Sequence, residues 1–294
     1  MNKTLRKFAW TVGMAALLLA DAGVSAKPPA TPNIGHSSCG GTAVPNTYCN
    51  FDTTGDGIVI GHDSCKVEGA CTALGNGARI GNGSCNGEEA CSHFGEIGGS
   101  AVVGDDSCNG PFACSFVASE GDSVIGNHSC NVDVGDSACL AAGAGAGPDR
   151  GSSRIGNNSC NDSGACVAVG ALVGSSVIGN NSCNGHGACD FVGQQGFVCV
   201  DDECTIFETP PGRSVIGNNS CNDELSCFDA GQGGINRVEN GSCNGFRSCI
   251  YAGAYGPESR IGNHSCNYDA TFDVDHYVGA CVENHGTIGN NKFN

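Results

Sequence analysis

The sequence predicts an all-β fold, a parallel β-solenoid of about ten rungs of 22–23 residues that is stapled by disulfides. Three observations support this prediction. One phrase recurs through most of the chain, each full copy carries two cysteines, and no segment shows helical apolar spacing over ten or more residues. A unit of this length matches one rung of a solenoid, and stacked rungs bury a continuous, narrow core.

The recurring phrase starts with Ile or Val, usually followed by Gly, and continues with a polar turn such as Asn-Asn-Ser-Cys-Asn. Successive starts are most often 22 or 23 residues apart, and the longer spacings contain insertions. We assign the repeat domain to residues 34–294. The ten full copies start at Ile34, Ile60, Ile80, Val103, Ile125, Ile155, Ile178, Ile216, Val238 and Ile261, and a shortened copy starts at Ile288.

Each rung is expected to contain short strands and turns, because runs of Ile, Val, Phe and Ala are bounded by Gly and Asn. The Gly after the Ile suits a tight or positive-φ corner. A second recurrent polar position predicts a column of amides, spaced by about 4.8 Å, that hydrogen-bond side chain to side chain up the stack. This column contains Asn86, Asn109, Asn131, Asn161, Asn184, Asn222, Asn244 and Asn267.

The cysteines sort into local pairs. Each full repeat holds one pair, and Cys199 and Cys204 fall together in the longest spacing. We expect pairing within a rung, which closes a short loop and contributes about 2 kcal/mol per bond. Pairing between successive rungs is the alternative, since the rung spacing suits disulfide geometry. The other pairs are Cys39 with Cys49, Cys65 with Cys71, Cys85 with Cys91, Cys108 with Cys114, Cys130 with Cys139, Cys160 with Cys166, Cys183 with Cys189, Cys221 with Cys227, Cys243 with Cys249 and Cys266 with Cys281.

The phrase Ile-Gly-Asn-x-Ser-Cys-Asn-Gly-x-x-Ala-Cys resembles the tandem Cys-rich repeats of uncharacterised secreted proteins of bacteria and algae. The resemblance covers nearly all of the chain from Ile34 onward, and it implies export and a repetitive fold. It provides no activity and no catalytic residues that could be transferred to this chain. A looser similarity is to disulfide-stapled β-solenoid antifreeze proteins. Thr is sparse and out of register here, so the ice-binding ladder of those proteins is missing.

The N-terminal residues predict export. Lys3, Arg6 and Lys7 precede an apolar run that is too short to span a bilayer, and Val24-Ser25-Ala26 offers a cleavage site, so residues 1–26 form a predicted signal peptide. Residues 27–33 form a Pro-rich linker. The 22 cysteines also favour an oxidising compartment. We therefore expect a secreted protein, extracellular or periplasmic, without an integral membrane segment in the mature chain.

The charge of the chain argues against nucleic acid and anionic membranes as partners. The formal net charge is −17, and removing residues 1–26, with three basic residues and Asp21, gives −17 − 3 + 1 = −19. Basic partners, cations or solubility alone are compatible with this charge.

Two insertions carry the candidate binding residues. One holds the acidic bend Asp201-Asp202-Glu203 between Cys199 and Cys204. The other reads Asn-Tyr-Asp-Ala-Thr-Phe-Asp-Val-Asp-His-Tyr, where Asp273 and Asp275 would share one face of a strand beside His276. Hard cations such as calcium favour carboxylate oxygens, so a cation or sugar site is one interpretation. An acidic aromatic cap on the stack is the other, and we prefer it.

The chain lacks familiar catalytic motifs. It contains no Gly-x-Ser-x-Gly elbow, no metalloprotease His-Glu pair and no phosphate loop. We assign no catalytic residue, no cofactor and no defined metal site. The sequence favours an exported, non-catalytic structural or surface-interaction protein whose partner is an extracellular polysaccharide or protein. The alternative is a polysaccharide-active β-helix enzyme, a lyase or glycoside hydrolase, which would need paired carboxylates.

Overall fold

The computed structural model describes residues 31–41, 45–51, 56–96, 99–118, 120–132, 137–144, 151–193, 197–200, 203–206, 211–254, 256, 258–269, 271–273, 276–278 and 281–293. A 3-10 turn at Cys39–Gly41 accompanies the strands of these ranges. The strands are β1 (Asn33–Ile34), β2 (Cys49–Phe51), β3 (Val59–Ile60), β4 (Cys71–Leu74), β5 (Arg79–Ile80), β6 (Ser100–Val103), β7 (Asp122–Ile125), β8 (Ser152–Ile155), β9 (Ser175–Ile178), β10 (Phe197–Val200), β11 (Glu203–Ile206), β12 (Arg213–Ile216), β13 (Ile235–Val238), β14 (Ser259–Ile261), β15 (Thr271–Asp273), β16 (His276–Val278) and β17 (Thr287–Ile288).

Eleven of these strands form one parallel sheet, in the order β1-β3-β5-β6-β7-β8-β9-β12-β13-β14-β17. The register keeps the repeat aligned, so that Ile155 stands opposite Ile125 and Ile178. Burial alternates along the longer strands of this sheet, with the Ile or Val at the end of the strand buried and the residue before it turned outward. The structure is therefore the parallel β-solenoid that the repeat predicts.

The core is a set of columns, one residue per rung. The Ile/Val column runs up one side, and the disulfides form a second column that is almost entirely buried. The residues three positions after the second cysteine make the third column; they are Leu74, Phe94, Val117, Ala142, Val169, Val192, Ala230 and Ala252. Because each rung contributes a few small or medium side chains, the core stays narrow and depends on stacking.

The rest of each rung is less strand-like than the sequence predicts. The segment after the second cysteine forms tight turns in most rungs rather than a second strand, and β2 and β4 pair there only at the N-terminal end. Positive φ recurs in fixed positions, including Cys183 at 58° and Phe191 at 56°. These turns still stack, since the backbone N–H of Gly170 donates to Val192 O at 2.9 Å. Backbone bonds between rungs replace strand ladders on these sides.

The glycine after the Ile serves close approach rather than positive φ. At Gly179, a Cβ would lie 2.7 Å from the backbone N of Asn218 in the next rung, and the φ of Gly179 is not positive. Of the two predicted reasons for this Gly, a tight corner or a positive φ, the first applies here, and the positive φ falls two residues later, at Asn181. Glu239 occupies the same position in its rung, so one rung accommodates a side chain there.

The predicted amide column exists, but its bonds run mainly from side chain to backbone. The Oδ1 of Asn184 accepts the backbone N–H of Asn161 at 3.1 Å, and its Nδ2 donates to Asn158 O. A side-chain pair joins Asn184 and Asn222 at 3.3 Å. Amide oxygens fill this role because the positive-φ turns leave backbone N–H groups without a backbone acceptor.

Two further ladders run beside this column. In the first, Asn180 Oδ1 accepts the backbone N–H of Asn157 at 2.8 Å, and the Nδ1 of His62 does the same for His36 at the N-terminal end. In the second, buried serines link successive rungs: Ser182 Oγ donates to Gly217 O at 2.8 Å and accepts the N–H of Ser220 at 3.2 Å. Most polar turn residues of the repeat are therefore structural.

The disulfides are local. The ten recorded bonds join the two cysteines of one repeat, with sequence separations of six in seven of them and 9, 10 and 15 in the others. Pairing is thus within rungs and not between them.

Insertions leave this pairing unchanged. Cys85 bonds to Cys91 in a rung of ordinary length, with Cα atoms 5.7 Å apart. Cys130 bonds to Cys139 across three additional residues, and their Cα atoms are also 5.7 Å apart. The longer spacing therefore does not separate the two cysteines of its rung.

The pair in the longest spacing lies on a hairpin. Cys199 and Cys204 stand opposite each other in the antiparallel β10–β11 hairpin, and their disulfide remains a prediction.

The copy that starts at Ile288 stacks like a rung. β17 pairs with β14, and Lys292 and Phe293 occupy the Ser and Cys positions of the repeat. The backbone of Lys292 accepts a bond from the N–H of Cys266 at 2.9 Å and donates to Ser265 Oγ at 3.0 Å.

Candidate functional site

The predicted acidic sites lie on two hairpins. Glu203 starts β11 opposite Val200, while Asp201 and Asp202 lie outside the described residues. In the other insertion, β15 ends at Asp273, which pairs with His276 of β16, and Asp275 lies outside the described residues. The expectation that Asp273 and Asp275 share one face of a strand stays a prediction, because Asp275 lies outside the described residues.

The cysteines come close enough to resemble metal sites. The sulfurs of Cys183, Cys189 and Cys221 lie within 4.8 Å of one another, and four similar groups occur in the described chain. Metal binding by cysteine requires thiolates. Since Cys183 is bonded to Cys189 and Cys221 to Cys227, these sulfurs make a stacked disulfide column rather than a ligand set.

Not every cysteine takes part in such a group. Cys91 and Cys139 belong to none of the five groups of the described chain, although both are fully buried. Both are bonded in the same way as the grouped cysteines, Cys91 to Cys85 and Cys139 to Cys130. Membership of a group therefore reflects how closely successive disulfides stack, and the cysteines share one structural role.

A long exposed surface runs along the outward side of the eleven-stranded sheet, which we call the outer sheet face. Its first column is the residue before the Ile or Val that ends each sheet strand from β3 to β17, and its second column lies two residues earlier on the longer strands. The first column contains Val59, Arg79, Val102, Val124, Arg154, Val177, Val215, Arg237, Arg260 and Thr287, and the second contains Ser100, Asp122, Ser152, Ser175, Arg213 and Ile235.

Apolar side chains stand exposed on the outer sheet face. Val124, Val177, Val215 and Ile235 are 37%, 41%, 41% and 43% exposed. Val177 and Val215 are neighbours in register, and Ile235 stands opposite Arg213 in the second column. Adjacent exposed apolar side chains such as Val177 and Val215 mark an interaction surface more often than a lone exposed valine does.

Arginine is concentrated on the same face. Five of the eight arginines of the chain lie there, although the chain as a whole is strongly acidic. Arg237 Nε pairs with Glu239 Oε1 at 2.8 Å, and the Arg260 guanidinium reaches the same oxygen at 3.3 Å. Arg79, Arg154 and Arg213 are exposed and form no ion pair with any described residue. The face therefore combines apolar surface with unpaired positive charge.

A second site joins two carboxyl groups from adjacent rungs. The backbone N–H of Asp229 donates to Asp190 O at 3.0 Å, and the Oδ1 atoms of both side chains are buried without a hydrogen-bond partner. Burial raises the pKa of Asp229 to about 7. Burial, and then repulsion from Asp229, raise the pKa of Asp190 well above its ordinary value, while the N–H of Phe191 lowers it.

Neither site was found from the sequence. The arginines of the first column could have been found, because each directly precedes the Ile or Val that starts a repeat, and aligning the copies brings them into one line. The acid pair could not have been found in this way, because its two members hold different positions in the repeat: Asp190 follows Cys189 directly, whereas Asp229 is the second residue after Cys227. The turns of adjacent rungs are offset by one residue, and this offset brings the two positions together.

Comparison with known proteins identifies the repeat but no activity. Comparison with curated proteins and with solved structures finds no match for the chain. No helix in the described ranges is long and apolar enough to cross a membrane. A family model described as a domain of unknown function, DUF7640, matches residues 20–140 and 99–209, and the two overlapping matches together span 209 − 20 + 1 = 190 of 294 residues. The chain belongs to the DUF7640 family.

Proposed function

We propose that the protein acts outside the cytoplasm as a non-catalytic, rod-shaped protein that binds an extracellular partner through its outer sheet face. The observation that carries this proposal is the row of exposed valines and arginines held in register by the parallel sheet. A rigid scaffold fixes these side chains before binding, which lowers the entropy cost of association. The predicted signal peptide and the stacked disulfides support an oxidising location.

The test uses the exported protein with its disulfides formed, screened against immobilised extracellular polysaccharides and proteins, with product analysis for each polysaccharide. Replacing Val177 and Val215 by Glu should abolish binding, because it places two carboxylates in the exposed apolar patch. Val67→Glu is the matched control, since Val67 is 40% exposed and lies outside the sheet. Binding that survives the double substitution would refute the outer sheet face as the interaction surface.

The alternative, a polysaccharide-active enzyme, is favoured by the pairing of Asp190 with Asp229. Glycoside hydrolysis uses two carboxyl groups, one of them with a raised pKa. In this structure, however, the Oδ1 atoms of both residues are shielded from solvent, so a substrate cannot reach those atoms. Release of new reducing ends or unsaturated products, abolished by Asp190→Asn or Asp229→Asn, would replace the binding proposal with the enzymatic one.

A further inference from the structure

The unpaired guanidiniums on the outer sheet face specify the chemistry of its partner. Arg79 and Arg154 lie in the first column and Arg213 in the second, all exposed and without an acidic partner among the described residues. The guanidinium group presents a planar fork of donors that matches a carboxylate. An acidic chain that gathers its arginines on one face has a local charge opposite to its net charge, which favours an anionic partner there.

The arrangement of these arginines is linear. Arg79 and Arg154 are separated by three rung steps, or about 14 Å at the spacing of sheet strands, and Arg213 lies two rungs further along the stack. Val102 and Val124 fill the positions between the first two. The face thus alternates positive charge with flat apolar surface along the solenoid axis. A linear polymer with acidic groups along an apolar-edged backbone complements both features.

Other occupants complement the face less well. Face-to-face association of two copies would bring arginine columns together, and like charges in close contact oppose association. Single-stranded nucleic acid is usually bound by aromatic stacking, and the outer sheet face carries no aromatic residue in its described columns. Neutral sugars are often held by aromatic stacking too, and the sequence after the predicted signal peptide contains no Trp.

We infer that the partner of the outer sheet face is a linear, carboxylate-bearing polysaccharide held by Arg79, Arg154 and Arg213. This inference rests on the proposed binding function and assigns its ligand class. Carboxylates would take the unpaired guanidiniums, while the CH faces of the sugar rings would lie on Val177, Val215 and the valines between the arginines.

The test measures binding of polygalacturonate to the intact, exported protein by calorimetry or biolayer interferometry. Three exposed ion pairs of about 0.5 kcal/mol each correspond to about a tenfold change in Kd. We expect the triple substitution Arg79→Gln, Arg154→Gln and Arg213→Gln to raise Kd about tenfold, and full methyl esterification of the polymer to weaken binding at least as much. Binding should also weaken as the NaCl concentration rises.

The control removes positive charge from described residues outside the outer sheet face, through Lys66→Gln and Lys292→Gln, and should leave Kd unchanged. Circular dichroism and melting verify that the arginine variant and the lysine variant are folded. Equal binding of the esterified polymer, or an unchanged Kd in the arginine variant, would overturn the inference. Tighter binding of dextran sulfate or DNA would overturn it as well.

The same measurements separate this inference from the proposed function. Suppose that polygalacturonate does not bind, while another polymer or protein binds and is lost in the Val177→Glu and Val215→Glu variant. The ligand class assigned here is then wrong and the binding function stands. If nothing in the panel binds, both fail together.

Discussion

Asn236 puts a carboxamide into an inner column that otherwise holds small side chains. Its neighbours in register are Ser214 and Ser259, and further along the column stand Ser176 and Ser153. Asn236 is 1% exposed, and neither its Oδ1 nor its Nδ2 has a hydrogen-bond partner. An unsatisfied buried amide costs about 1–3 kcal/mol, so this residue opposes the stability of its own rung.

Asn236→Ser should therefore raise the free energy of unfolding by about 1 kcal/mol, since it removes the unpaired amide and restores the column. Urea denaturation measures the change. Asn240→Ser is the control, and it should lower the free energy of unfolding. It removes the amide oxygen, Asn240 Oδ1, that accepts the backbone N–H of Asn218 at 2.8 Å. If Asn236→Ser destabilised the protein as much as Asn240→Ser, the amide of Asn236 would be satisfied in solution.

The acid pair makes stability depend on pH. Asp229 is only 9% exposed, and its pKa in the folded chain, about 7, exceeds the value of about 3.9 expected for the unfolded chain. The folded state therefore binds more protons between these two values, and stability falls as the pH rises from about 4 to above 7. The stabilisation by the protonated carboxyl is fully present below the unfolded pKa and lost above the folded pKa.

Asp229→Asn should make the stability of the folded protein depend less on pH. The amide stays neutral, so the variant should be more stable than the wild-type protein at pH 8, by at most about 4 kcal/mol, and similar at pH 4. Thermal melting across this range measures the difference. The exposed Glu88→Gln variant should follow the wild-type profile. A profile that stays steep after Asp229→Asn would assign the pH dependence to other groups.

In this fold, hydrogen bonds from the buried serines join successive rungs, in addition to the bonds of the parallel sheet. Ser182 shows the arrangement: its hydroxyl satisfies Gly217 O and the N–H of Ser220, both in the next rung, and the side chain is fully buried. Without the hydroxyl, two buried backbone groups lose a partner at once.

Ser182→Ala should lower the free energy of unfolding by about 1–3 kcal/mol, because it leaves the N–H of Ser220 buried and unpaired. Ser175→Ala, on the outward side of β9, should change it by less than about 0.5 kcal/mol. Chemical denaturation of the two variants measures both effects. Comparable losses would show that the serine ladder adds no more than an ordinary surface hydroxyl.

The sequence predicts the strands of the parallel sheet but not the turns that complete each rung. The repeat places the sheet strands well, because Ile155 and its counterparts align once the copies are superimposed. It does not predict that the segment around Val167 and Ala168 forms positive-φ turns, since β-branched and small residues in short runs also favour strands. The ladder serines were missed for a related reason: a Ser in a polar turn looks exposed until the stack buries it.

At the scale of the whole molecule, stability is a sum of rungs and of contacts between neighbouring rungs. Disulfides such as Cys160–Cys166 and Cys183–Cys189 close loops inside their own rungs, so they restrain each rung but do not connect it to the next. Connection between rungs relies on hydrogen bonds and the Ile column.

Non-reducing proteolysis with mass spectrometry should recover Cys160–Cys166 and Cys183–Cys189 as local links. Reduction should destabilise the entire chain, because each bond contributes about 2 kcal/mol and each rung depends on its neighbours. Recovery of a Cys160–Cys183 link would contradict the pairing within rungs. Circular dichroism with and without reductant gives the size of the loss.

Because the rungs stack in register, the number of rungs determines the length of the molecule. Each added copy of the repeat extends the axis by about 4.8 Å and adds one more residue to the first outward column, while the cross-section stays the same. Gain or loss of a single repeat unit would therefore change how far the protein reaches, and how many partner groups it spans, in equal increments. An insertion such as the β10–β11 hairpin keeps a fixed position along that axis, because it lies between two particular sheet strands, β9 and β12.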